Sequence, residues 1–271
     1  MIHIGTSGYS YDDWVGPFYP EGTRKTNFLD YYRQRFGTTE LNFTYYRMPS
    51  ARMLENIANK VEAGFRFAVK APGEITHERD DDPRPAAREF IRALDPLKDT
   101  DKFACALLQF PTSFRPADAS RDYLARLSEA FAGTPAVVEF RQRDWISEDT
   151  FDLLQAQGFG FCCVDQPQFK SLIPPIAIAT SDIGYVRFHG RNYQKWWRHA
   201  EAWERYDYQY TENDLNEWVP KLKALDEQRE TQETYVYMNN HWAGQAPSSA
   251  KQLAKLLRAA GARVDPRPPS E

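Results

Sequence analysis

The sequence has few cysteines and lacks long apolar runs. Its 271 residues include three cysteines, Cys105, Cys162 and Cys163, which lie in apolar stretches without CxxC or Cys/His spacing. This pattern indicates neither a disulfide framework nor a zinc site, and it predicts buried free thiols. There is no apolar run of about 18 residues, which excludes a transmembrane helix. The N-terminal residues lack the pattern of a signal peptide, so we expect a cytoplasmic protein with no membrane partner.

Strong charge of one sign and common nucleotide-binding motifs are also missing. The formal net charge is -4, which argues against a protein that binds nucleic acid over its whole surface but allows a local basic cleft. The absence of GxGxxG and GxxxxGK[ST] disfavours a doubly wound nucleotide-binding fold. The absence of GxSxG disfavours a serine hydrolase. Aromatic residues, by contrast, reach 14%, and this surplus requires a core or a binding cleft.

Short apolar runs alternate with stretches of helical periodicity, which predicts parallel strands joined by helices. The predicted strands are residues 2–5, 38–42, 66–70, 105–110, 136–141, 160–165, 185–189 and 234–239. Eight such units favour a closed (β/α)8 barrel over an open sheet. We therefore predict an α/β protein with a single TIM-like barrel over residues 1–264 and a flexible tail over residues 265–271.

Two segments that follow predicted strands are long and rich in aromatic residues. They are residues 8–26 after the first strand and residues 191–210 after the seventh. Loops of this length usually have a function, and in a barrel they lie at the C-terminal face, where active sites form. Trp196 and Trp197, flanked by Lys195 and Arg198, are interpreted as ligand-binding residues. The alternative is that these rings pack on the barrel rim.

Polar residues lie at the end of each predicted strand. In the seventh strand Arg187 and His189 share one face, because strand side chains alternate. Burying such residues is costly unless they are paired or line a wet cavity, so the strand ends are predicted to form a polar site at the barrel mouth. Besides Thr6 and Ser7, its residues are Glu40, Asn42, Lys70, Gln109, Glu139, Arg141, Asp165, Arg187, His189, Asn239 and Asn240.

The charges of this predicted site favour an anionic ligand. Lys70, Arg141, Arg187 and Arg191 are candidate anion-binding residues. Glu139 or Asp165 could act as a general base and His189 as an acid or orienting group, since carboxylates in different surroundings can divide acid and base roles. The basic residues Lys70, Arg141 and Arg187 could instead neutralise Glu40, Glu139 and Asp165 in a structural ion-pair network. No cofactor is predicted, although Glu40, Glu139, Asp165 and His189 are an alternative set of ligands for a divalent metal.

Several motifs resemble the DUF72 (YecE-like) family, in order and from the first strand to the last helix. They are Gly5-Thr6-Ser7-Gly8-Tyr9-Ser10-Tyr11, Glu40-Leu41-Asn42-Phe43-Thr44-Tyr45-Tyr46, Phe67-Ala68-Val69-Lys70, Leu108-Gln109-Phe110-Pro111, Glu139-Phe140-Arg141, Arg187-Phe188-His189-Gly190-Arg191 and Asn239-Asn240-His241. The resemblance implies a TIM-like barrel and the position of its site, but no reaction. At the level of fold it also implies a likeness to endonuclease IV-type and sugar isomerase barrels.

Three functional hypotheses follow. The first is an enzyme, such as a hydrolase, lyase or isomerase, that acts on a phosphorylated or nucleotide-like substrate; here Arg187→Ala is expected to abolish anion binding with little loss of fold. The second is a nucleic-acid-binding or processing protein in which Trp196 and Trp197 stack on bases. The third is a ligand-binding protein without catalysis. The sequence gives neither the substrate nor the oligomeric state.

Overall fold

The short apolar runs form parallel strands in the computed structural model, which describes residues 1–228 and 231–265. The strands are β1 (Ile2–Ser7), β2 (Thr38–Leu41), β3 (Arg66–Lys70), β4 (Phe103–Gln109), β5 (Ala136–Glu139), β6 (Phe159–Asp165), β7 (Ile183–Phe188) and β8 (Glu233–Met238). Each strand pairs with the next, and β8 pairs in parallel with β1, so the barrel is closed. The predicted TIM-like barrel is confirmed.

Helices surround this barrel and connect its strands. The α-helices are α1 (Phe28–Tyr32), α2 (Ala51–Ala58), α3 (Arg84–Ala93), α4 (Asp95–Asp99), α5 (Asp118–Phe131), α6 (Glu148–Ala156), α7 (Glu212–Asn216), α8 (Val219–Asp226) and α9 (Gln245–Ala259). Shorter helical turns are Asp12–Trp14, Lys25–Asn27, Phe43–Tyr45, Glu74–Glu78, Arg143–Trp145, Ala202–Tyr206 and Trp242–Gly244. Capping side chains fix several of these starts; Ser147, for example, accepts the Thr150 amide at the start of α6.

The interior of the barrel is filled by side chains that alternate along each strand. Residues of β4 and β6 are buried on both faces, since helices cover the outside of the barrel and side chains fill the inside. In the lower layers Thr38 Oγ1 lies 2.6 Å from the hydroxyl oxygen of Tyr237. This packed interior means that a cavity can form only at the ends of the strands.

Some strands end before their predicted limits, which places polar side chains just beyond the sheet. β5 ends at Glu139 and β7 at Phe188, so Arg141 and His189 belong to the loops that follow. The chain turns away at Gly190, whose φ of 87° and whose close approach to the Tyr208 side chain favour glycine.

The C-terminal boundary can be followed as far as Asp265. Its amide donates to the carbonyl of Ile2 at 2.9 Å, and residues 266–271 of the predicted tail lie outside the described residues. In the described part of the chain, no helix is long and apolar enough to cross a membrane.

Candidate functional site

A cavity of about 540 Å³ opens at the C-terminal ends of the strands. Polar side chains at or just after strand ends form what we call the cavity floor: Asn42, Lys70, Gln109, Arg141, Arg187 and Asn239. Rings from the loops after β1, β2 and β7 form what we call the aromatic rim: Tyr9, Tyr11, Phe43, Tyr45, Tyr46, Trp203 and Tyr206. The volume is in the range of small-molecule sites, about 300–1,000 Å³.

Arg187 lies at the centre of the cavity floor and bonds to two carboxylates. Its Nη2 donates to Glu40 Oε1 and its Nη1 to Glu139 Oε2, each at 2.7 Å. Both glutamates are fully buried, and the hydroxyl of Tyr185 donates to the second oxygen of Glu40 at 2.6 Å. One guanidinium on β7 therefore connects β2 with β5 across the inside of the barrel.

Glu139 accepts from several donors and lies below the cavity floor. Its Oε1 is 2.9 Å from Arg141 Nη2 and 3.2 Å from His189 Nε2. Burial alone would raise the pKa of Glu139, but Arg141 and Arg187 outweigh it and hold that pKa well below the usual value. The carboxylate is thus ionised, surrounded by donors and not positioned to accept a proton from a ligand.

His189 is held as a neutral imidazole. Burial, and then the charge of Arg141, lower its pKa to about 3. Asn239 Nδ2 donates to Nδ1 at 3.0 Å, so Nε2 carries the hydrogen that is directed at Glu139. In this arrangement His189 is a neutral imidazole whose two ring nitrogens are hydrogen-bonded to Glu139 and Asn239.

Lys70 differs from the two arginines because no carboxylate within residues 1–228 and 231–265 forms an ion pair with it. Its Nζ donates to Gln109 Oε1 at 2.9 Å and lies 4.4 Å from the ring centre of Tyr45. Burial, and then the charge of Arg187, lower the pKa of Lys70 from 10.5 to about 7. Lys70 is thus the residue of the cavity floor whose protonation changes near neutral pH.

Replacing Lys70 with methionine is expected to change the pH dependence of stability. Since the pKa of Lys70 is about 7 in the folded chain and 10.5 when unperturbed, the unfolded chain binds more protons between these values. Lys70 therefore makes the free energy of unfolding rise with pH there, by up to ~1.4 kcal/mol per pH unit. Urea denaturation of both proteins at about pH 7, 8 and 9 measures this slope.

In this experiment any stability advantage of Lys70→Met over the parent protein shrinks as the pH rises. Lys25→Met is a matched control, because the Lys25 side chain is 61% exposed. A stability difference between Lys70→Met and the parent that stays constant over this pH range would contradict the lowered pKa.

Asp165 and Asn240, both predicted at the mouth, lie outside the cavity because of the alternation of side chains along a strand. Glu139 and Arg187 point inward, whereas Asp165 and Asn240 occupy outward positions of their segments. Asp165 is fully buried beneath the surrounding helices, where it accepts from Trp218 Nε1 at 2.7 Å. Asn240 Nδ2 donates to the carbonyl of Tyr208 at 2.9 Å. Both residues connect the barrel to its outer layer.

The predicted ligand-binding residues of the loop after β7 also lie away from the cavity. Arg191 forms ion pairs with Asp165, Asp214 and Glu217. The Trp196 side chain is 2% exposed and therefore packed, whereas Trp197 is 51% exposed and lies beside Phe169. Neither tryptophan lines the cavity.

Tyr9, Tyr11, Trp203 and Tyr206, which line the cavity, lie in the two long segments that the sequence predicts to be functional, although none of them was named as a ligand-binding residue. Trp203 and Tyr206 belong to the same loop as Trp196, and Trp203 stacks on Trp242 with ring centres 3.7 Å apart. His241, also at the cavity, stacks on Tyr11 with ring centres 4.8 Å apart. Three further rings of the aromatic rim, Phe43, Tyr45 and Tyr46, directly follow β2. The high density of aromatic residues there is the sequence pattern that indicates them.

The four residues considered as metal ligands do not converge. Asp165 lies outside the barrel interior, and the carboxylates of Glu40 and Glu139 bind Arg187. Across residues 1–228 and 231–265, no group of three or more His, Cys, Asp or Glu side chains has an arrangement that could hold a metal ion.

Together these features define the class of protein: a (β/α)8 barrel with a cationic, aromatic-lined cavity at the C-terminal ends of its strands. The family model of DUF72, described as a protein of unknown function, matches residues 3–271. The chain belongs to the DUF72 family.

Relatives and solved structures agree with this membership. The UPF0759 protein YunF of Bacillus subtilis (strain 168) is 31% identical over 272 residues, covering 95% of each chain. The crystal structure of a DUF72 family protein from Thermotoga maritima has a TM-score of 0.86 at 38% identity, covering 95% of this chain and 99% of that one. A DUF72 family protein from Enterococcus faecalis has the same fold, with a TM-score of 0.84 at 23% identity and coverage of 95% and 96%.

Proposed function

We propose that this protein is an enzyme that binds a small anionic substrate in the cavity, with the phosphate or carboxylate of the substrate on the cavity floor. The observation that carries this proposal is the placement of charge. Lys70, Arg141 and Arg187 all line the cavity, whereas Glu40 and Glu139 are fully buried below it. A ligand therefore meets cationic and amide donors first, which favours an anion.

Polar groups at the cavity support the same interpretation. The buried atoms Arg187 Nε and Asn42 Oδ1 have no hydrogen-bond partner among the described residues. A buried polar group without a partner costs about 1–3 kcal/mol, and sites that bind polar ligands are where such groups are found. The single acidic residue among the described lining residues, Glu201, is exposed.

The aromatic rim fits the remainder of such a substrate. Tyr9, Tyr11 and Tyr45 lie on one side of the opening, and Trp203 and Tyr206 come from the loop after β7. Aromatic walls with few polar groups are typical of small-molecule sites and suit a sugar or a planar ring. The substrate class is therefore a phosphorylated or nucleotide-like compound with a body that packs between rings.

Lys70 is the residue best suited to move a proton in this site. A pKa of about 7 lets its side chain act as an acid or a base at neutral pH. Glu139 then positions Arg141 through their ion pair, and His189 positions Asn239 through their hydrogen bond. Proton transfer of this kind serves a hydrolase, a lyase or an isomerase.

Replacing Arg141 with glutamine is expected to weaken anion binding at least about tenfold, because a charge-assisted hydrogen bond contributes roughly 1.5–3 kcal/mol. The Arg141 side chain lines the cavity and is 11% exposed. In the variant, Glu139 still has its ion pair with Arg187. Titration calorimetry with inorganic phosphate, ribose 5-phosphate and AMP gives the dissociation constants.

The matched control is Arg88→Gln, which removes the same charge from an exposed position on α3. If Arg141→Gln and Arg88→Gln raise the dissociation constants of the anions by the same factor, the placement of the anion beside Arg141 is wrong. A screen of phosphorylated metabolites by mass spectrometry tests catalysis, and turnover should disappear in Lys70→Met. Tight binding without turnover of any bound compound would support a ligand sensor instead.

The nucleic-acid hypothesis receives no specific support from the loop that suggested it. Trp196 is packed, Lys195 forms an ion pair with Glu204, and Arg191 is bound to carboxylates. We therefore do not propose it as a second function.

A further inference from the structure

Lys70 is an amine that forms no ion pair with any described residue and lies at the bottom of an open cavity. Its one described hydrogen-bond acceptor is the amide oxygen of Gln109, at 2.9 Å. In the described parts of the chain no carboxylate forms an ion pair with it, because Glu40 and Glu139 bind arginines. An amide accepts one N–H without stabilising the ammonium form as a carboxylate would, so a neutral amine is tolerated here.

Lys70 is partly buried, yet its amine remains accessible from the cavity. The Lys70 side chain is half-buried and lines the cavity together with Arg141 and Arg187. The face of the Tyr45 ring lies on one side of the amine, 4.4 Å from Nζ. Burial and the charge of Arg187 lower the pKa of Lys70 to about 7, so the free amine is populated at neutral pH.

We propose that Lys70 is a nucleophile that forms an imine with an anionic aldehyde or ketone whose phosphate or carboxylate lies on Arg141. A lysine activated by desolvation and a cationic neighbour is the arrangement that amine catalysis of carbonyl compounds requires. This inference rests on the proposed function, since it needs an anionic substrate on the cavity floor, and it specifies the reactive group of that substrate.

The step balances without an oxidant, a reductant or a metal. The nitrogen lone pair attacks the carbonyl carbon, the C–N bond forms, and the electrons of the carbonyl π bond move to oxygen, which takes up a proton. The nitrogen loses its two hydrogens as the oxygen, protonated a second time, leaves as water. One amine and one carbonyl compound thus give one imine and one water.

The proposal is tested by trapping the imine on the full-length protein with sodium cyanoborohydride. The probes are dihydroxyacetone phosphate, pyruvate and, as a neutral comparison, dihydroxyacetone. We expect one adduct per chain, mapped to Lys70 by peptide mass spectrometry, forming at least about tenfold faster with an anionic probe than with the neutral one. The faster of the two anionic probes shows whether the site prefers a phosphate or a carboxylate.

Two variants serve as controls. Lys70→Arg keeps the positive charge but should give no adduct, and Lys25→Arg, at a side chain that is 61% exposed, should react like the parent protein. Adducts spread over exposed lysines, or an adduct that persists in Lys70→Arg, would overturn the assignment.

A second measurement does not depend on any variant folding. Competitive labelling with acetic anhydride from about pH 5 to about pH 10, followed by mass spectrometry, gives the titration midpoint of each lysine; Lys70 is expected near 7. A titration midpoint for Lys70 equal to that of Lys25 would contradict the assignment of Lys70 as the nucleophile.

The two proposals can fail separately in these experiments. If phosphate and AMP bind but no carbonyl probe is trapped, the imine is wrong and the anion site stands. If no anion binds, the proposed function fails as well, whatever the midpoint of Lys70.

Discussion

Replacing Arg187 with methionine is expected to lower the free energy of unfolding by about 3–5 kcal/mol, the usual cost of removing one partner from a buried ion pair. The guanidinium is 2% exposed and bonds at 2.7 Å to both Glu40 and Glu139, which are fully buried. Methionine fills a similar volume but leaves both carboxylates facing an apolar group. Urea denaturation at neutral pH measures the loss.

The pH dependence of this variant provides an internal test. Without Arg187 the pKa of Glu139 is held down less, because only Arg141 and His189 remain to oppose burial, so the stability difference between the variant and the parent protein narrows as the pH falls. A second substitution, Glu40→Gln, should restore part of the loss by removing one uncompensated charge.

A matched control for this prediction is Arg115→Met. The Arg115 side chain is 63% exposed and pairs with Asp144 at 3.3 Å, so we expect a change below about 1 kcal/mol. An equally small effect for Arg187→Met would contradict the role of Arg187 in the barrel interior.

Replacing Asp165 with alanine, as a separate single substitution, is expected to lower the free energy of unfolding by about 3–4 kcal/mol. The carboxylate accepts from Trp218 Nε1 and from the hydroxyl of Tyr210, both at 2.7 Å, and from Arg191 Nη2 at the same distance. Alanine leaves these donors without their acceptor between the barrel and its helices. Thermal and urea denaturation report the loss.

Binding measurements separate this role from one in the cavity. Because Asp165 lies outside the cavity, folded Asp165→Asn should bind phosphate and AMP with the affinity of the parent protein. Asp144→Ala, at a carboxylate that is 59% exposed, should be neutral in both assays. A tenfold loss of affinity in folded Asp165→Asn would mean that Asp165 contributes directly to the site.

Much of the fold could be predicted because barrel strands carry a simple signal. Runs such as residues 105–110 are apolar on both faces, and their alternation with helical stretches repeats eight times. The inward direction of Arg187 followed from alternation in β7, and the structure brings it together with Lys70 and Arg141 at one end of the barrel.

The composition of the site was harder to predict. It depends on whether each strand side chain points into the barrel or outward, and on the residues with which that side chain forms hydrogen bonds. Asp165 ends its strand like Glu139 but points to the other side, which cannot be read from sequence unless the strand register is known. Nor does the sequence show that Arg187 bonds to two glutamates. The expectation that Arg187→Ala would spare the fold assumed a ligand contact, whereas its ion pairs make a loss of stability the expected result.

The aromatic loops illustrate a further limit. Trp196 and Trp203 are seven positions apart in one segment, and nothing in their neighbours distinguishes the packed ring from the one at the cavity. Side-chain placement in a loop depends on contacts from distant parts of the chain, here Trp242 after β8.

The link that Arg187 makes between β2 and β5 limits how this site can adapt to ligands of different size. The two carboxylates come from β2 and β5, which are not neighbours in the barrel, and the same guanidinium holds both. Moving these strands apart would break a charge-assisted bond to a fully buried carboxylate, so the diameter of the cavity floor is effectively fixed. On the proposed function, substrates are selected by their bulk and shape above the floor, where the loops after β1, β2 and β7 determine the available space.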